Sequence, residues 1–165
     1  MKHKIIHTLW MTGLLLVGTS IISSCDTDLD LNNPSFQTPE TYFQNNAELR
    51  DATNAIYSQL GSGQLFAREW FFLQDLRADE VNAGGSQLEA PRRQIFLGAV
   101  SPDNNITNDV WNGLYNTINR ANIVIQNAVN VEDEPDLRDR LVGEAKFLRA
   151  WAYYELVTLW GPVPI

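Results

Sequence analysis

The sequence predicts an all-α protein built from antiparallel helix pairs. Three observations carry that expectation. Apolar residues recur three and four apart through 46–60, 107–129 and 135–159, the spacing of one helix face. Caps and breakers punctuate those runs: Asn45, Gly61-Ser62-Gly63, Pro135 and Gly161-Pro162. No β-rich or alternating βα pattern competes with them.

The first substantial helix is expected over 46–60. Asn45 and Glu48 fit a capping box, and Leu49, Ala52, Ile56 and Leu60 form its inner stripe. Thr38-Pro39-Glu40 just upstream reads as a short helix start, with threonine as cap and proline in the first position. A second helix, about 67–77, carries Trp70, Phe71, Leu73 and Leu76, and so many large apolar groups call for deep burial. Residues 78–106 show no period and read as a long irregular loop, anchored by Ile95-Phe96-Leu97.

The third helix spans about 107–129, with Val110, Trp111, Leu114, Tyr115, Ile118, Ala121, Ile125, Ala128 and Val129 as its stripe. Asp133-Glu134-Pro135 opens the fourth, acids at the positive end of its dipole. Leu137, Leu141, Ala145 and Leu148 face inward, and Glu134–Arg138 and Asp136–Arg140 are expected to pair outside. From Phe147 to Trp160 the helix is apolar nearly all round, interrupted by Arg149 and Glu155, and belongs in the centre of something larger. Both charges need partners, since unpaired buried charges are costly. That surplus of apolar surface leads to the expectation that further core lies past Ile165. Trp70, Trp111, Trp151 and Trp160 sit at core spacing.

The N-terminal segment is read differently. Met1-Lys2-His3-Lys4 is basic, Leu14–Val17 is apolar, and Ile22-Ser23-Ser24-Cys25 has the form of a bacterial lipobox. Residues 1–24 are therefore expected to be a signal peptide, with Cys25 as the lipid attachment point. A transmembrane span over 5–22 competes with that reading, as does plain secretion. The span is interrupted by His7, Thr8, Thr12, Gly13, Thr19 and Ser20. Acyl chains each gain about 0.8 kcal/mol per buried methylene, so more than one chain holds stably. Residues 25–45 then form an acidic tether and docking arm, and 46–165 the helical domain.

Composition excludes several chemistries. Of 12 Lys and Arg, Lys2 and Lys4 fall in the signal, leaving 10 against 20 Asp and Glu, a net charge of −10. Such a chain is a poor ligand for phosphate backbones, so no nucleic-acid partner is expected. Both histidines, His3 and His7, also lie in the signal, and Cys25 is the sole cysteine. A mature chain without histidine or free thiol holds no Ser-His-Asp triad, no Cys-His pair and no His-ligated zinc. Neither GxxxxGK[ST] nor GxGxxG occurs, and no cofactor is expected. Asp79-Glu80 is a poor glycosidase pair, because adjacent carboxylates do not by themselves flank a glycosidic bond.

Trp111-x-x-Leu114-Tyr115 is similar to the start of a tetratricopeptide unit. Glu144–Tyr154 followed by Leu159-Trp160-Gly161-Pro162-Val163-Pro164 resembles the hallmark segment of SusD/RagB-like lipoproteins of Bacteroidetes. Asn119-Arg120-Ala121-Asn122, Thr38–Phe43 and Ala78-Asp79-Glu80 fit the same pattern. The resemblance implies tetratricopeptide-like helix pairs and no catalytic activity. It implies a lipid-anchored protein on the outer face of the outer membrane, with Asp26, Asp28 and Asp30 as an export signal. It implies capture of an oligosaccharide, or another nutrient, for a SusC-like TonB-dependent transporter. Part of the ligand face would follow Asp79-Glu80, where Asn82, Gln87, Arg92 and Arg93 are the available polar groups. No tryptophan or tyrosine lies in that stretch. A scaffold fragment that no longer binds ligand, or a surface glycoside hydrolase, are the alternative readings.

Overall fold

Each helix among the described residues begins where a polar group or a proline meets its first turn. The structure, a computed structural model, describes residues 37–82 and 88–165. The signal segment, Cys25, residues 25–36 of the acidic arm and Gln87 lie outside the described residues. Helix α1, Pro39–Tyr42, is a single turn, and the Thr41 hydroxyl accepts the Thr38 N–H at 2.9 Å. Helix α2 is Asn46–Leu60, α3 is Glu69–Asp75, α4 is Ala90–Phe96 and α5 is Asn105–Asn127. A 3₁₀ turn, Ala128–Asn130, and a short corner lead into α6, Pro135–Trp160. The described residues are helical with no strand among them, so the protein is all-α.

Helices α5 and α6 run antiparallel along their whole length. Arg149 donates to the Asn122 side-chain oxygen at 2.8 Å near the middle, and Trp111 meets Trp160 at one end. Helix α2 lies against both, and Arg120 donates to the Ala55 carbonyl at 2.6 Å across that seam. Phe43, Leu49, Ile56, Ala121, Val124, Val131, Leu141, Ala145 and Leu148 fill the core at the end nearer the α5–α6 corner. Leu65, Leu73, Ile95, Ile106, Val110, Leu114, Ile118, Ala152 and Leu156 fill the other end. Burying a leucine or isoleucine contributes roughly 1.5–3 kcal/mol relative to exposure. Thr38–Ile165 is one compact unit, and Phe43 ties α1 into its core.

Helix α5 has to let the turn after α2 come very close. A side chain at Gly113 would place its Cβ 2.9 Å from the Leu65 side chain. Only glycine admits that approach. At the far end of α6, Gly161 turns the chain with φ 78°, a left-handed conformation that side chains disfavour.

Several expectations are corrected. The stretch from 78 to 106 is not wholly irregular, because α4 lies within it, entered through Pro91 and pinned by buried Ile95. Leu97, expected as an anchor, is 61% exposed. The long helix starts two residues earlier than Thr107, because Asn104 caps it: its side-chain oxygen accepts the N–H groups of Ile106 and Thr107. Its last turn tightens to 3₁₀ geometry, which swings Val129 out to 74% exposure.

The expected Glu134–Arg138 and Asp136–Arg140 pairs are replaced. Arg138 reaches Asp139 at 3.0 Å and the Val131 carbonyl at 3.3 Å, and Arg140 reaches Glu144 at 3.3 Å. Asp133 serves the N-terminus of α2 instead of its own helix, accepting the Asn46 N–H at 3.0 Å. Glu48 accepts the N–H of Gln44 at 2.8 Å, one residue before the cap.

Helix α6 is not covered all round. Leu141, Ala145, Leu148, Ala152 and Leu156 are buried, while Phe147, Tyr154 and Val157 on another face are 69%, 65% and 52% exposed.

Candidate functional site

The helix ends farthest from the α5–α6 corner bring aromatic groups together. Trp111 and Tyr115 sit one turn apart on α5 with ring centroids 4.9 Å apart. Trp160, from the last turn of α6, meets the Trp111 ring edge to face at 5.2 Å and 82°. The Tyr115 hydroxyl donates to the Pro164 carbonyl at 2.9 Å, fixing the chain after Gly161 beside this cluster. All three rings are partly buried, packed on the second core cluster rather than within it. The tryptophans expected in the core therefore form its rim.

Two adjoining hollows open at this rim, sharing Val100, Thr107 and Trp160 as walls. One, of about 360 Å³, is also lined by Leu73, Ile95 and Arg77. The other, of about 350 Å³, is also lined by Ser101, Asn108 and Trp111. Both volumes fall at the lower end of the range for small-molecule sites. Neither lining includes a carboxylate, although the protein is acidic. Thr107 donates its hydroxyl to the Asn104 carbonyl at 2.8 Å, which holds that wall in place. Ser101 is held by Gln94, which accepts its hydroxyl at 3.0 Å.

The residues singled out from sequence are dispersed. Asn82 is exposed, just after the Asp79-Glu80 turn. Arg92, on α4, is committed to an internal cluster. It pairs with Glu89, lies 3.8 Å from Glu69 and sits 4.1 Å over the Phe72 ring. Glu69 is itself only 2% exposed and is also met by Arg68. One oxygen of Glu69 and the Arg92 Nε have no hydrogen-bond partner among the described residues. Arg93 is exposed in the last turn of α4. Asp79 and Glu80 are exposed in a turn, and no other described residue is hydrogen-bonded or ion-paired to their side chains. Arg149 and Glu155 both find polar partners: Glu155 accepts from Trp70 Nε1 at 3.1 Å and Gln74 Nε2 at 3.2 Å.

Sequence reasoning missed Arg77 and Asn108. Arg77 lies in the turn just past a short helix and Asn108 in the first turn of a long one, and they meet the same walls only because α3 and α5 pack together. Periodicity gives no signal for that. No group of three metal-ligating side chains occurs among the described residues.

Comparison with known proteins follows the same line. Residues 29–165 match the SusD-like family described as "Starch-binding associating with outer membrane". "SusD-like protein P2" of Formosa agariphila is 29% identical over 163 residues, covering 99% of this chain and 30% of that protein. "SusD-like protein P38" of the same organism is 27% identical over 156 residues, covering 94% and 30%. A "SusD-like protein" of Bacteroides ovatus is 24% identical over 161 residues, covering 91% and 28%. The chain thus spans about 30% of the length of these curated relatives. No solved structure matches it. The match runs through every helix described above, and the chain belongs to the SusD-like family.

Proposed function

We propose that this chain is part of a cell-surface lipoprotein that captures oligosaccharide for a SusC-like TonB-dependent outer-membrane transporter. The observation that carries the reading is the family match, which starts at residue 29, just past Cys25, and runs to 165. In this reading residues 1–24 are the removed signal, Cys25 carries the lipid, and 25–45 tether and dock the helical part. The antiparallel α5–α6 pair is the tetratricopeptide-like scaffold. Asn82, exposed beyond the Asp79-Glu80 turn, offers its amide to ligand, with Gln87 from the same stretch. Arg92 contributes by holding α4 against α3 through Glu69 and Phe72. The protein captures and hands over its ligand without chemistry of its own. The histidine-free mature sequence and the exposure of Asp79 and Glu80 support that.

The test is metabolic labelling with an alkyne fatty acid, combined with affinity purification from outer membranes. Labelling that disappears in Cys25→Ser, together with co-purification of a TonB-dependent transporter, is the expected result. Unlabelled protein in the soluble fraction, with no transporter recovered, would overturn the reading.

A further inference from the structure

We propose that the paired hollows walled by Val100, Thr107 and Trp160 are a saccharide subsite that takes a short stretch of neutral oligosaccharide. The proposal deepens the glycan-capture reading and rests on it.

A sugar ring has an apolar face of C–H groups and a rim of hydroxyls. A site for it needs an aromatic or aliphatic wall and planar polar groups at the edge. The shared wall is Trp160, whose indole is held edge to face by Trp111 at 5.2 Å, so the ring is already oriented before any ligand arrives. Preorganised walls lower the ordering cost of binding. Arg77 lines the first hollow only and Asn108 the second only, so planar polar groups serve both. Both side chains are exposed, and neither has a hydrogen-bond or ion-pair partner among the described residues. A guanidinium and a carboxamide each offer adjacent groups that can meet two neighbouring hydroxyls.

The alternative is that the hollows are only the ragged rim of the core. A rim explains the apolar wall, but it gives no reason for its polar residues to divide in this way. Thr107 and Ser101 are spent on the protein's own backbone and on Gln94, whereas Arg77 and Asn108 are left available. The absence of carboxylates from both linings removes the usual acidic partner that would otherwise occupy Arg77. A single cation among amide, hydroxyl and indole groups suits a neutral chain of hydroxyls. Two hollows in series fit consecutive sugar units rather than one compact metabolite.

The experiment titrates maltoheptaose into the full chain, solubilised from its own membrane in a non-glycosidic detergent. Tryptophan emission and calorimetric heat are followed together, with cellohexaose in parallel. The expected result is saturable binding of at least one saccharide with a change in tryptophan emission. Arg77→Gln and Asn108→Ala should each weaken that binding tenfold or more. Lys146→Ala, exposed on α6 away from the hollows, should leave it unchanged. Both lip residues are exposed, so helical ellipticity should be unaltered in their variants. Binding lost in Asn82→Ala but kept in Arg77→Gln and Asn108→Ala would overturn the subsite while sustaining glycan capture. No binding of either saccharide would overturn the subsite as well, while lipid labelling and transporter co-purification test the wider function independently.

Discussion

The two ends of the helical unit are built from the same helices and finished differently. Near the α5–α6 corner the core is almost entirely aliphatic, and the buried Asn46 is tied in by Asp133 and the Glu134 carbonyl, which take its N–H and side-chain amide, while its Oδ1 has no partner among the described residues. At the other end an aliphatic centre is rimmed by Trp70, Phe72, Trp111, Tyr115, Trp151 and Trp160, and hollows remain between rim and loops. The closed end uses its sequence for cohesion. The open end keeps aromatic faces and polar groups that its own packing does not consume. A binding surface belongs at the second kind of end, because groups already satisfied inside the fold have little left to offer a ligand.

The contrast is broken or sharpened most strongly by matched leucine truncations. Leu49 is fully enclosed at the closed end, whereas Leu73 already borders a hollow. Leu49→Ala should cost about 5 kcal/mol and Leu73→Ala about 3 kcal/mol, since a site beside open space can collapse or admit water. Urea unfolding monitored by ellipticity measures both, and an equal or reversed order would remove the distinction between the ends.

A smaller effect is expected at Gly113, where α5 and the turn before α3 touch. The added methyl would meet Leu65 at 2.9 Å, an overpacking cost of about 2 kcal/mol. Relief of the glycine penalty within a helix offsets about 1 kcal/mol of that. The net loss of about 1 kcal/mol should vanish in the double variant Gly113→Ala/Leu65→Ala relative to Leu65→Ala alone. Persistence of the loss would show that the contact is not its cause.

The smallest effect concerns Tyr57, on the closed side. Partial burial raises its pKa above the ordinary 10.0, and the nearby Glu144 carboxylate adds to this by its charge and by accepting the phenol at 3.4 Å. The folded state therefore holds the phenolic proton more tightly than the unfolded chain does. That contribution is complete below pH 10 and is lost as pH rises through the folded value. Glu144→Gln should bring the rise in tyrosinate absorbance to lower pH, read as a difference from Tyr57→Phe. An unmoved titration would mean that burial acts alone.

Much of the scaffold was legible in the residues because local rules and tertiary packing agree there. Helix α2 has both a cap and a stripe, and its bounds are those expected from Asn45 and Gly61. Helix α6 starts at Pro135 and ends before Gly161 for the same reasons. Helix α4 escaped because its seven residues carry one buried position, too few to show a period. The ion pairs of α6 escaped because Arg138 finds a backbone carbonyl at the corner, a partner that spacing along one helix does not reveal. Asp133 escaped likewise, since its N–H partner lies 87 residues away. Arg92 read as an available surface cation, and the buried Glu69 that engages it looks in sequence like any other acid at a helix start. Arg77 and Asn108 lie at helix ends that only tertiary packing brings to common walls.

The exposed face of α6 bears on how this chain, prepared alone, must be handled in the laboratory. Phe147, Tyr154 and Val157, with Ala150 between them, put a contiguous oily strip on this 165-residue chain taken by itself. A dye such as ANS, used to report melted cores, should bind that strip while the fold is intact. Thermal screens based on it will start bright, and their midpoints will follow dye release as much as unfolding. Far-ultraviolet ellipticity, which reads the helices themselves, is the observable that keeps the two apart.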